Sequence, residues 1–131
     1  MTPRERPLSP FLIYRFDYTM VLSFSHRVTG VALAAGSLVL VAWLLALACG
    51  PATYERIVHI FDSWYVRLLL LGWLFSFFFH LVNGIRHLAW DLGYGFEKSH
   101  ARLSGWIVLT AALIMTAAYA WVASTGHGNP L

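Results

Sequence analysis

The sequence predicts an all-α integral membrane protein with three transmembrane helices, and three observations carry that prediction. The chain has 131 residues, of which 59% are hydrophobic and only 11% charged, whereas soluble domains carry about 25% charged residues. No Asp, Glu, Lys or Arg occurs between Arg27 and Glu55, between Arg67 and Arg86, or after Arg102. A helix rises about 1.5 Å per residue, so roughly 20 residues cross a hydrocarbon core of about 30 Å. Each uncharged stretch is long enough, the middle one narrowly. Backbone groups in lipid must be satisfied within their own segment or in a closed barrel. The alternating pattern of barrel strands is absent from this sequence.

The elements follow in order. Residues 1 to 19 are a polar surface segment broken by Pro3, Pro7 and Pro10. The first span covers about 20–48 and stops at Gly50-Pro51, a pair that ends helices. A short loop carries Glu55 and Arg56, and the second span runs over about 64–91, closed by Gly93 and Gly95. Glu97, Lys98 and Arg102 form the next loop, before a third span over about 103–124 and a tail holding His127. The apolar run after Tyr18 is too long for a signal peptide, and the start lacks the character of a transit peptide, so we expect a bacterial chain without a cleaved leader.

Basic residues report orientation in such a chain, and give no reason to expect a nucleic-acid partner. One side holds Arg4, Arg6, Arg15, Arg27, Arg86, Lys98 and Arg102; the other holds Arg56 and Arg67. The basic excess marks the cytoplasmic side, which places the amino terminus inside and the carboxyl terminus in the periplasm. Trp43, Trp64, Trp90 and Trp121 lie towards span ends as an aromatic belt would, whereas Trp73 and Trp106 fit less well. Cys49 reads as a small buried residue near a span end. Close helix approach is expected at Gly30, Ala34 and Ser37, at Gly72 and Ser76, and along Ala111, Ala112, Ala117, Ala118 and Ala120 of the third span, which has no acidic, basic or histidine residue.

Polar groups inside a span are costly and mark function. His80, Asn83, His87 and Asp91 stand at offsets 0, 3, 7 and 11 of the second span. At about 100° per residue they project near 0°, 300°, 340° and 20°, with Gly84 beside them. Such a stripe faces protein or a cofactor. Measured from Asp91, His87 lies roughly 6 Å and His80 roughly 16 Å deep. A neutral imidazole at mid-membrane is a natural haem-iron ligand; a lone histidine there is more often an interhelical hydrogen bond, and it is the full stripe with its glycine that favours a haem. His26 is the other span histidine, and its depth matches His87 rather than His80, so a second axial ligand is expected from a partner subunit. His59, His100 and His127 fall in loops or the tail and receive no role.

Ser23, His26, Arg27 and Gly30 form a second one-sided set on the first span, at offsets 0, 3, 4 and 7. An isolated arginine here would snorkel to the headgroups. With a hydroxyl and an imidazole beside it, it defines a polar pocket instead. Serine can bond a quinone carbonyl, and arginine the same ring or a haem propionate. Arg27 and His87, at matching depth, can bracket propionates.

At this point the chain resembles the cytochrome b556 subunit family of succinate dehydrogenase. Arg6-Pro7-Leu8-Ser9-Pro10 with Ile13-Tyr14, the Ser23-to-Gly30 run, and the run from His80 through Gly84-Ile85-Arg86-His87 to Asp91 are similar to its signatures. Phe11-Leu12 replaces a His and an extra residue often found in the family. The resemblance implies one part of a heteromeric helix bundle. It would be an anchor sharing a haem b with a second hydrophobic subunit and docking iron-sulfur and flavoprotein subunits. By position it implies His80 as axial haem ligand, Ser23 and Arg27 as ubiquinone contacts, and His26, Arg27 and His87 near the propionates. No residue of the chain performs succinate chemistry. The rivals are a fumarate reductase anchor using menaquinone, and a cofactor-free structural membrane protein. A cation transporter fits poorly, since the spans lack a buried carboxylate and an inverted repeat.

Overall fold

The computed structural model describes residues 18–126; the amino-terminal signature, Arg4, Arg6, Arg15 and His127 lie outside the described residues. Four helices follow one another: α1 (Tyr18–Ala48), α2 (Pro51–Phe61), α3 (Trp64–Asp91) and α4 (Lys98–Gly126). There is no strand among the described residues. The helices α1, α3 and α4 are each long and apolar enough to cross a membrane, as the uncharged runs predict. At 28 to 31 residues each exceeds the thickness of the hydrocarbon layer, so its ends reach the headgroup level or the helix tilts.

The turn chemistry holds at both glycine sites. Gly50 takes φ 100° and Pro51 opens α2, where a missing N–H costs nothing. Past Asp91, Gly93 takes φ 87°. Its N–H bonds the Trp90 carbonyl at 2.8 Å, and that of Tyr94 bonds the Ala89 carbonyl at 3.0 Å, which is the Schellman closure.

The connections differ from the expectation. Glu55 and Arg56 stand on the 11-residue helix α2, not in a loop. Its Tyr54, Ile57, Val58 and Phe61 are half-buried, while Glu55, Arg56 and His59 are exposed. Those four apolar positions, at offsets 0, 3, 4 and 7, are one face of an amphipathic helix. Likewise Lys98, His100 and Arg102 belong to the first turns of α4 rather than to a loop. Cys49 is exposed at the turn, not buried.

The core is a seam between α1, α3 and α4, formed by Leu22, Phe79, Val108 and Ala112 with Tyr18, Phe75, Phe78 and Val82 packed against it. The buried stripe of α4 is Ala101, Gly105, Val108, Ala112 and Thr116; of the alanines expected to pack, Ala112 is fully buried but Ala117 and Ala118 are exposed. On α1, Ala34 and Ser37 are exposed. Close approach occurs as expected at Gly30, which faces His80, and also at Gly36, which lies under the Trp73 indole. On α3, Gly72 has open space beside it, while Ser76 is buried and donates to the Gly72 carbonyl at 2.9 Å. The two tryptophans that fitted the belt poorly are packing residues. Trp73 covers Gly36, and Trp106 stacks on Tyr18 with centroids 5.5 Å apart.

Gly105 gives the first prediction. A Cβ there would lie 2.5 Å from both Leu22 Cδ1 and Tyr18 Cε1, at the centre of the seam. We expect Gly105→Val to cost about 1–3 kcal/mol by overpacking, read as a lowered unfolding midpoint in detergent. An unchanged midpoint would show that α1 and α4 are not held at this spacing.

Candidate functional site

Where α1 crosses α3, glycine at position 30 lets the His80 imidazole lie against the α1 backbone; a Cβ on Gly30 would stand 3.0 Å from His80 Cε1. The Nδ1 atom of His80 is 3.0 Å from the His26 carbonyl oxygen and 3.2 Å from Thr29 Oγ1. A carbonyl oxygen only accepts, so Nδ1 carries the hydrogen and donates to it. The Thr29 hydroxyl is 2.9 Å from the Ser25 carbonyl and 2.9 Å from the His26 carbonyl, to which it donates, leaving its lone pairs towards Nδ1. The tautomer follows. Nε2 of His80 bears the free lone pair and has no hydrogen-bond partner among the described residues.

The His26 ring lies face to face with that of His80, centroids 3.8 Å apart and planes 10° from parallel. It also meets His87, with centroids 5.1 Å apart and planes at 51°. Gly84 lies beside this pair, where a Cβ would meet His26 Cε1 at an ordinary contact distance of 3.8 Å. His26 is therefore not level with His87 alone, as the depth estimate had it. Its two ring contacts set His26 between the two α3 histidines. The buried His26 Nδ1 has no partner among the described residues.

The stripe on α3 divides between two neighbours. His80 and His87 turn towards α1, but Asn83 is fully buried on the same helix face as Ser76, Phe79 and Arg86. Asp91 is exposed and takes no part. Arg86, counted above as a surface charge of the basic side, is only 6% exposed. Its Nε donates to Ser104 Oγ at 2.9 Å, Nη2 to the Ala101 carbonyl at 3.0 Å and Nη1 to Asn83 Oδ1 at 3.3 Å. Its guanidinium also lies 3.9 Å from the centroid of the Trp90 ring. Thus α4 supplies two of the acceptors that hold a buried cation on α3.

Ser23 is half-buried and Arg27 is exposed, both on α1 next to His26. Neither side chain has a hydrogen bond within the described residues. Arg27 presents its charge outside this chain's own core, where a neighbouring subunit or a small molecule can meet it. No group of three or more His, Cys, Asp or Glu among the described residues could hold a metal ion, so the histidines do not form a chelate by themselves. Thr29 and Arg86 are the residues that sequence reasoning left without a role. Both stand inside the quoted motifs, and each was one intramembrane polar group that called for a partner.

These features define a class: an integral membrane helical bundle with an imidazole cluster enclosed between its first two spans. The chain belongs to the succinate dehydrogenase/fumarate reductase transmembrane subunit family, whose pattern it matches over residues 2–119. It is 37% identical over 113 residues to the succinate dehydrogenase cytochrome b556 subunit of Rickettsia felis, covering 86% of this chain and 88% of that one. The protein of the same name from Paracoccus denitrificans is 33% identical over 112 residues, covering 85% and 86% of the two chains. The mitochondrial cytochrome b560 subunit of Sus scrofa is 38% identical over 116 residues, covering 84% of this chain and 67% of that one.

Proposed function

We propose that this chain is the membrane-anchor cytochrome b subunit of a succinate:ubiquinone oxidoreductase, holding one face of a haem b and part of the quinone site. The observation that carries the reading is the His80 ring. Its Nδ1–H is tied to the His26 carbonyl 3.0 Å away, which directs the basic nitrogen outward, as in metal-bound histidines whose other nitrogen is hydrogen-bonded. The donor set fits a haem: one neutral imidazole offered from a single chain, a glycine cradle beside it, and the unpartnered Nδ1 of His26.

In this reading His80 would hold the haem iron through Nε2, with a further ligand supplied by a second hydrophobic anchor subunit. His26, Arg27 and His87 lie towards the propionates. A bound haem b supplies a one-electron redox centre beside the quinone. Ser23 and Arg27 bond the quinone ring and orient it for reduction by electrons from an iron-sulfur partner, itself served by a flavoprotein. Succinate chemistry stays in that partner. The excess of Lys and Arg supports an amino terminus on the cytoplasmic side of a bacterial inner membrane. The family also covers fumarate reductases, but the relatives described above carry succinate dehydrogenase names, which favours a succinate dehydrogenase anchor over a fumarate reductase one.

The test is the purified complex with its partner subunits. A reduced-minus-oxidised spectrum should show a b-type band, and extraction should yield ubiquinone. Ser23→Ala and Arg27→Ala should lower quinone reduction at least tenfold while leaving succinate oxidation by an artificial acceptor within twofold. Parallel loss of both activities would trace the defect to assembly and remove the quinone assignment.

A further inference from the structure

The span without a histidine or a charge at mid-membrane still reaches the imidazole cluster, through one buried side chain. Arg86 is buried within a membrane-spanning helix, and no carboxylate pairs with it among the described residues. A monovalent cation removed from water needs strong compensation. Here it comes from two α4 acceptors, Ser104 Oγ and the Ala101 carbonyl, from Asn83 and from the face of Trp90. Trp90 is fixed on its other edges too. Its Nε1–H donates to the Gly95 carbonyl at 3.2 Å, and its ring stands edge-on to His87, centroids 5.3 Å apart at 86°. His87 in turn touches His26, and His26 stacks on His80.

We infer that Arg86 is a positioning residue for the haem edge: clamped by α4, it holds Trp90, and Trp90 sets the orientation of His87 beside the His26–His80 pair. The inference rests on the haem reading above. It gives α4 a purpose beyond packing, since the Ala101–Ser104 turn becomes the anvil on which the α3 end of the cluster is shaped. The guanidinium is suited to this because its planar fork bonds two acceptors and stacks on an aromatic face at once. An ammonium group keeps the charge but loses the fork and the stack.

The experiment uses the assembled holo-complex with Arg86→Lys, Trp90→Phe, the double variant, and Ser104→Ala, reading the haem midpoint potential and its low-temperature EPR spectrum. Arg86→Lys should change the reduction equilibrium about threefold, or about 28 mV for a one-electron couple, with altered EPR line positions. Ser104→Ala should move both in the same direction by less. In the Trp90→Phe background the lysine substitution should add nothing further, as expected for residues acting in series. Additive shifts would show that Arg86 acts directly by its charge, and an unmoved potential in intact Arg86→Lys complex would remove any positioning role. Should Arg86→Lys fail to assemble, Ser104→Ala with an unmoved spectrum overturns the inference. If His80→Leu complex keeps its haem spectrum, the haem reading itself fails and takes this inference with it; if His80→Leu loses the band while Arg86→Lys and Ser104→Ala change nothing, the positioning role alone fails.

Discussion

Replacing His80 with leucine is expected to abolish the b-type Soret band in complex that still assembles with its partner subunits. Leucine has an apolar side chain of comparable size, so the α1–α3 crossing at Gly30 keeps its filling. The substitution removes one hydrogen bond to the His26 carbonyl and one contact with Thr29. A typical net contribution of such a bond is about 1 kcal/mol, small against the stability of a bundle with partners. Haem binding, by contrast, loses the one histidine among the described residues whose Nδ1 is tethered so as to leave Nε2 free. Thr29→Val serves as the companion variant, because the His26 carbonyl still tethers His80, so haem should remain bound with a shifted spectrum. A full Soret band in the His80→Leu complex would make this residue an interhelical hydrogen bond and nothing more.

The contrast between the spans and the site explains what a sequence can yield here. Spans were legible because crossing a hydrocarbon layer is a requirement on length and charge alone, and Gly50-Pro51 and Gly93 mark helix ends through backbone conformation. Helix α2 is a miss of another kind: Tyr54, Ile57, Val58 and Phe61 do recur at helical spacing, but the segment carrying Glu55 and Arg56 reads as a short loop between two much stronger apolar runs. Arg86 was different in kind. A count of basic residues treats every arginine as a surface charge, and only the Ala101–Ser104 turn, 15 and 18 residues away in sequence, turns this one inward. The same holds for Asn83. Its projected position sits at the edge of the histidine stripe, and an edge residue goes to whichever neighbour packs there, which here is α4. The His26–His80 pair escaped a depth estimate because axial level alone does not say which rings two crossing helices bring face to face.

Gly30→Val should remove most of the haem without touching any proposed ligand, and the reason lies in how little freedom His80 has. A Cβ at position 30 meets His80 Cε1 at 3.0 Å, already a tight contact, and valine adds two methyl groups on a stiff χ1. In a looser pocket the imidazole would swing away. This ring is pinned from three directions: its Nδ1 by the His26 carbonyl and by Thr29, and its face by the His26 ring. Relief therefore comes from breaking the tether or from separating α1 and α3, and either outcome displaces the Nε2 that would hold the haem. Overpacking of this sort costs about 1–3 kcal/mol, enough to lower haem affinity by roughly one to two orders of magnitude when it falls on the bound state alone. Gly30→Ala is the graded control. It needs its neighbour to yield by only a few tenths of an ångström, so haem should stay bound with a perturbed spectrum. Gly36→Ala separates local from general packing effects, because its Cβ would strike the Trp73 indole, which borders a cavity of about 660 Å³ shared with Gly36 into which the ring can shift. Normal haem content in the Gly36 variant beside depleted haem in Gly30→Val would place the effect at the imidazole; equal depletion in both would assign it to helix spacing and detach Gly30 from the site.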